Sequence, residues 1–340
     1  MRLPVCVLLL VLLLAISGGC VKHIPETSRN GTLPENTAGP VVSGPTSLPA
    51  AGDRIFTLQH NGLKRSFLVH IPLSYTGSEP VPVVIVFHGG GDDIYGMMRQ
   101  SGITATSDSE GFIAVFPQGI GKTIGGKTTG TWNAGRCCGS AETNNVDDVG
   151  FISALLDDME LRFSIDKDRV YATGISNGAL FSYRLACELS GRIAAIAPVA
   201  GQDAFDNCHP SRPVPVIHFH GTTDPAALYK GGHCGGRLPG DPGWNCVSVP
   251  EYIGRWVTSN SCSPESVESF RNGSAICRTY GHCPGGADVT LCTIGDGGHT
   301  WPGGEYLKDE RWWKEAVGNI SRDISANDLM WEFFKSHPKK

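Results

Sequence analysis

Three residues in this chain have the types and the order that nucleophilic attack on a carbonyl requires: Ser176, Asp224 and His299. A serine hydroxyl is a poor nucleophile unless its proton is removed as it attacks, and a neutral imidazole is suited to take it. A carboxylate behind the imidazole orients the ring and stabilises its charged form. Ser176 sits in Gly174-Ile175-Ser176-Asn177-Gly178. Residues 170–173 suit a buried strand, and Ala179, Leu180, Tyr183, Leu185 and Ala186 suit a helix with an apolar face. A serine on so sharp a strand-to-helix turn is held in a strained backbone with its hydroxyl exposed, and the glycines remove side chains that would clash. In a chain with 44 glycines the pattern alone is weak, and the strand-then-helix context is what carries it.

The acid and the base are read from strand ends. Asp224 lies in His220-Gly221-Thr222-Thr223-Asp224-Pro225, directly after the apolar run 214–219. Asp203, one strand earlier, and Asp241 are its rivals and follow their strands less directly. His299 follows the run 289–294 on a glycine-rich loop, whereas His233 and His282 lie in cysteine-bearing inserts and His337 lies at the tail. The order Ser, Asp, His across three strand-end loops fits a parallel sheet, where reactive groups collect at the carboxyl ends of strands. An oxyanion site is expected from the backbone N–H groups of Asn177 and of Gly89 and Gly90, since His88-Gly89-Gly90-Gly91 follows the strongest strand, 83–87. Each such donor is worth on the order of 3 kcal/mol in the transition state.

The elements that must hold these groups can be followed along the chain. A hairpin is expected over 53–60 and 63–71 around Asn61-Gly62. Buried strands are expected at 83–87, 112–116, 193–200, 214–219 and 289–294, and helices at 94–100, 147–163 and 326–335. Asp147 and Asp148 fall in the first turn of a helix, where carboxylates favour the dipole, and no matching ligands suggest a metal. Residues 229–262 form an insert with a helix near 252–258. Strands alternating with helices without repeats give one α/β domain over 53–340, with a mostly parallel central sheet and helices on both faces.

Composition bounds the setting. The 340 residues carry a net charge of −5 and no basic block, which argues against nucleic acid as a partner. Twelve cysteines without a Cys-x-x-Cys point to disulfides in an oxidising compartment. Arg2, an apolar run to Ile16 and Ser17-Gly18-Gly19-Cys20 read as a signal peptide over 1–20, with Cys20 a candidate for lipidation. Residues 21–52, rich in Pro, Thr, Ser and Gly, read as a tether. Setting Cys6 and Cys20 aside leaves ten cysteines. Cys234 with Cys246 would close the insert, and the adjacent Cys137 and Cys138 are expected to bond elsewhere than to each other.

Several motifs together resemble one known family. They are the His88 turn, Trp132-Asn133-Ala134-Gly135-Arg136-Cys137-Cys138-Gly139, Val146-Asp147-Asp148-Val149-Gly150-Phe151, the Ser176 turn, Ala197-Pro198-Val199-Ala200-Gly201, the Asp224 loop and Gly298-His299-Thr300-Trp301-Pro302-Gly303. From about residue 53 to 336 the chain is similar to the secreted esterases that include polyhydroxybutyrate depolymerases, feruloyl esterases and lipoprotein esterases. The resemblance implies an α/β-hydrolase fold and ester hydrolysis by Ser176, Asp224 and His299. That chemistry needs no metal or organic cofactor, and a monomer is expected. His88, Trp132 and Trp301 are expected at the substrate, the two tryptophans by stacking on a hydroxycinnamoyl or sugar ring. Aryl esters of plant walls lead as substrates, ahead of hydroxybutyrate oligomers and acetylated xylan. A silent scaffold used only for binding would usually lack a member of the triad, and all three are present.

Overall fold

The computed structural model describes residues 50–124, 127–236, 242–308 and 310–339. The signal segment, nearly all of the tether and Asp241 lie outside the described residues. The chain opens with β1 (Gly52–His60), β2 (Leu63–Ile71), β3 (Val81–Phe87), α1 (Ile94–Ser101), α2 (Ile103–Glu110) and β4 (Ile113–Pro117). It continues through β5 (Ile120–Ile124), β6 (Lys127–Thr131), α3 (Gly139–Thr143), α4 (Asp148–Arg162), β7 (Ile165–Ile175), α5 (Asn177–Glu188), β8 (Ala195–Val199) and β9 (Val216–Gly221). The last part holds β10 (Gly232–Cys234), β11 (Trp244–Cys246), α6 (Val249–Ser259), β12 (Ser266–Asn272), β13 (Ala275–Tyr280), β14 (Val289–Ile294), α7 (Arg311–Val317) and α8 (Ala326–Ser336).

Ten strands form one sheet in the order β1-β2-β4-β3-β7-β8-β9-β14-β13-β12. The six from β4 to β14 are parallel, and antiparallel hairpins finish both edges. The centre is parallel because its strands are apolar on both faces. In β3, Val83, Ile85 and Phe87 pack with Leu155, Leu180 and Ile253 on one side, while Val84 and Val86 pack with Ile94, Met97 and Phe334 on the other. Side chains alternate with period two, so helices must cover both faces. The β1–β2 turn is Asn61-Gly62, with φ of 47° and 77°, the positive values a two-residue hairpin loop needs. The β5–β6 and β12–β13 hairpins and helix α7 were not expected, because short or solvent-facing elements lack a clear apolar period.

One ion pair ties this frame to the site. Arg65 Nη2 on β2 donates to Asp148 Oδ1 at 2.7 Å, with both side chains buried. Asp148 Oδ2 accepts the Asn133 N–H at 2.8 Å, which pins the loop after β6. Asp148 is therefore more than a favourable charge at a helix end, and Asp147 caps α4 through the Gly150 N–H.

Candidate active site

Ser176 stands between the end of β7 and the start of α5 with φ 57° and ψ −122°. A non-glycine residue in such a region costs about 1–3 kcal/mol, and surrounding structure must impose it. Here Ser176 N–H donates to the Val199 carbonyl of β8 at 3.0 Å, and the Ser176 carbonyl accepts the Leu180 N–H at 3.0 Å. A Cβ on Gly174 would lie 2.6 Å from the Phe87 carbonyl, and one on Gly201 would lie 2.6 Å from the Ser176 carbonyl. The glycines thus let β3 and the turn after β8 close around the serine. Its hydroxyl makes no hydrogen bond among the described residues and is partly exposed.

The loops after β9 and β14 meet beside it. Asp224 Oδ2 lies 2.8 Å from His299 Nδ1, and Asp224 is fully buried while His299 is 15% exposed. Asp224 Oδ1 accepts the N–H groups of Ala226 and Ala227 at 2.7 and 2.8 Å. Burial alone would raise this carboxyl; the charge and hydrogen bond of His299, with help from His220 and the Ala226 N–H, outweigh it and hold it below its ordinary value. An ionised Asp224 accepts from Nδ1 and leaves Nε2 as the free basic nitrogen of His299. Asp203, the rival acid, pairs with Arg255 at 3.0 Å and accepts the Val247 N–H instead.

Gly89, Gly90 and Asn177 line the same cavity as Ser176 and His299. The N–H groups of Gly89 and Gly90 make no hydrogen bond among the described residues. The Asn177 N–H is the first of α5, one of the donors a helix leaves without an intrahelical partner. The Asn177 side chain is engaged elsewhere, bracing the Trp132 backbone through both of its amide atoms.

His88, expected at the substrate, is fully buried and does not line the cavity. Its Nε2 accepts the Gly119 N–H at 3.0 Å, so Nδ1 carries the proton and donates to the Gly89 carbonyl at 2.8 Å. It holds the Gly89–Gly90 turn rather than a ligand. Burial lowers its pKa from 6.5 to about 4. The unfolded chain therefore binds a proton below about 6.5 that the native state refuses until about 4, so stability falls as pH falls through that window. The shift is worth on the order of 3 kcal/mol. We expect the urea midpoint at pH 4 to lie well below that at pH 7.5; equal midpoints would mean that His88 accepts its proton in the folded protein.

The cavity has a volume of about 290 Å³. Trp132 and Trp301 are also fully buried and absent from its wall, contrary to expectation. Trp132 stacks on Phe181 and donates its indole N–H to the His88 carbonyl at 3.1 Å; Trp301 donates to Asn327 at 3.0 Å. The aromatic wall comes instead from Trp244 on β11 and Trp313 on α7. Trp244 was hidden inside the insert, where the expected Cys234–Cys246 disulfide closes β10 onto β11. Cys137 and Cys138 also line the cavity and are bonded to each other, against expectation. Cys187–Cys208, Cys262–Cys283 and Cys277–Cys292 use the other described cysteines, so among the described residues each of the adjacent pair has only its neighbour as partner.

The chain is 31% identical over 242 residues to feruloyl esterase B of Piromyces equi, a match covering 69% of this chain and 42% of that protein. It thus spans less than half the length of that relative. It is 27% identical over 288 residues to a putative esterase, NocK, of Nocardia uniformis subsp. tsuyamanensis, covering 80% of this chain and 79% of that one. Among solved structures, an acetyl xylan esterase from Aspergillus awamori superposes with a TM-score of 0.56 at 14% identity, over 83% of this chain and 99% of that one. No protein-family model matches the chain. The parallel sheet and its structural neighbours define an α/β-hydrolase fold. Within that fold its relatives in sequence are esterases, feruloyl esterases among them, at 27–31% identity.

Proposed function

We propose that this protein hydrolyses carboxylic esters through an acyl-enzyme on Ser176. The observation that carries this reading is one cavity that holds a strained, solvent-reachable serine, an imidazole whose Nδ1 is held by a buried carboxylate, and backbone N–H groups without acceptors among the described residues. Ser176 Oγ attacks the carbonyl carbon while His299 Nε2 takes its proton. The carbonyl oxygen gathers negative charge against the N–H groups of Asn177 and of Gly89 or Gly90. His299 then gives the proton to the leaving alcohol, the C–O bond breaks, and water repeats the cycle on the acyl-enzyme.

The favoured substrate is a hydroxycinnamoyl ester of a plant-wall polysaccharide. Trp244 and Trp313 offer ring faces to an aryl acid, and the Trp244 indole N–H is buried without an acceptor among the described residues. Five disulfides among the described residues suit an oxidising compartment, and in this reading the mature chain works outside the cytoplasm as a monomer, with Cys20 as a lipid anchor. The test is the rate on methyl ferulate beside 4-nitrophenyl acetate, for wild type and Trp244→Ala. We expect turnover of both. The substitution should lower kcat/KM on ferulate about tenfold, from lost ring contact, and leave the acetyl ester nearly unchanged. Turnover of the acetyl ester alone would retain the chemistry and discard the aryl acid in favour of acetyl groups or hydroxybutyrate oligomers.

A further inference from the structure

A file of buried side chains runs from the helix behind Ser176 to the loop that carries Asp224. Tyr183 on α5 places its hydroxyl 2.9 Å from His218 Nδ1. His218 Nε2 lies 2.9 Å from His220 Nδ1, and His220 Nε2 lies 2.7 Å from the Ala227 carbonyl. The two histidines are alternate residues of β9, so they share one face of the sheet and stack at 5.2 Å. All three side chains are at most 1% exposed.

Chemistry sets the direction of every bond in this file. Both neighbours of His220 Nε2 are acceptors only: the Ala227 carbonyl, and Asp224 Oδ2 at 3.5 Å. Nε2 therefore carries the proton. Burial pushes the pKa of His220 down and that of His218 well down, so both rings are neutral and each Nδ1 is bare. His218 must then donate through Nε2, and Tyr183, whose phenol burial holds protonated, must donate to His218. The relay is one-way: Tyr183 to His218 to His220 to Ala227. Its last donor fixes the Ala227 carbonyl, while the N–H of that same residue holds Asp224 Oδ1 at 2.8 Å.

We propose that His220, backed by His218 and Tyr183, is a positioning residue that sets the aim of Asp224 at His299. Polar groups buried this deeply must be bonded, and a single tautomer pattern satisfies all of these. The file thereby locks the turn from Asp224 to Ala227, two of whose residues, Ala226 and Ala227, also line the cavity. Other titratable groups facing it are Tyr229, whose ring meets His220 edge-on at 5.9 Å, and Tyr252 against Tyr183, with His299 beyond Asp224. The inference rests on the esterase reading above.

The experiment compares His220→Leu, His220→Gln and Tyr183→Phe with wild type and Ser176→Ala on 4-nitrophenyl butyrate, with melting temperatures alongside. Leucine fills the space without donating, and we expect kcat to fall about 10- to 100-fold with KM within about twofold, as for a small misplacement of a reacting group. The acid limb of the kcat/KM profile should move to lower pH, because the imidazolium loses part of its carboxylate partner. Glutamine can still donate to Ala227 and accept from His218, and should restore most of kcat. Tyr183→Phe removes only the remote end and should lower kcat by a few-fold. A His220→Leu protein that is folded and keeps both the wild-type kcat and the wild-type pH profile overturns the proposal. So does a loss of rate that merely tracks a lowered melting temperature with the profile unmoved. Retained activity in Ser176→Ala would instead strike the underlying reading, and so separates the two failures.

Discussion

Ser176→Ala is expected to lower kcat on any ester substrate by about 10⁶-fold while leaving the fold intact, the largest effect of any single change in this chain. The size follows from what the side chain does. Without Oγ no acyl-enzyme forms, and the imidazole has no proton to take. The strained backbone, the N–H groups of Gly89, Gly90 and Asn177 and the cavity all survive, so residual catalysis over water of about 10³–10⁴ can remain from binding and charge stabilisation. Alanine also suits the site sterically, since it lacks only a hydroxyl that makes no hydrogen bond among the described residues. The melting temperature should therefore stay level or rise slightly, because functional sites commonly carry a stability cost. The measurement is kcat and KM on 4-nitrophenyl butyrate with a thermal melt of both proteins. A variant that keeps even one hundredth of the wild-type rate would remove Ser176 from the chemistry.

The parts of this site that were legible in advance are those written in local chemistry. A β-branched apolar run that stops at a glycine is a strand end, and a serine between two glycines before a helical pattern is a turn with a strained backbone. Thus 289–294 was read to the residue, and Ser176, Asp224 and His299 were placed at the ends of β7, β9 and β14. The parts that were not legible depend on which way a side chain faces after packing. Trp301 follows His299 by two residues and Trp132 ends a long glycine-rich loop, yet each indole N–H finds an acceptor and each ring goes into the core. Trp244 and Trp313 belong to an insert and a short helix, and only folding brings them to the cavity. His88 shows the same limit: its type suggested chemistry, but with one nitrogen bonded to Gly119 and the other to Gly89 it has none left for a ligand. The bond between Cys137 and Cys138 became evident only once the partners of the other described cysteines were known.

Replacing Asp224 by asparagine is expected to lower kcat about 10⁴-fold with little change in KM, and the geometry says why so small an atomic change should cost so much. Asparagine has nearly the shape of aspartate but one end donates and the other accepts. At this position the choice of end is forced. The Oδ1 site already receives two N–H groups, from Ala226 at 2.7 Å and Ala227 at 2.8 Å, so only the amide oxygen can occupy it. The amide nitrogen must then take the Oδ2 site, 2.8 Å from His299 Nδ1. Two donors cannot face each other, so Nδ1 gives up its proton and Nε2 holds it. The ring is now the wrong tautomer: it presents a donor to Ser176 where the reaction needs an acceptor, and the imidazolium formed on attack has lost its counter-charge. Substrate binding uses the cavity wall and the oxyanion donors, none of which changes, which is why kcat should carry the loss. Kinetics of Asp224→Asn beside wild type at a fixed pH, with a melt to confirm folding, test this directly. A loss below tenfold in a folded variant would mean that another group orients His299, and Asp224 would then be a structural anchor for its own loop.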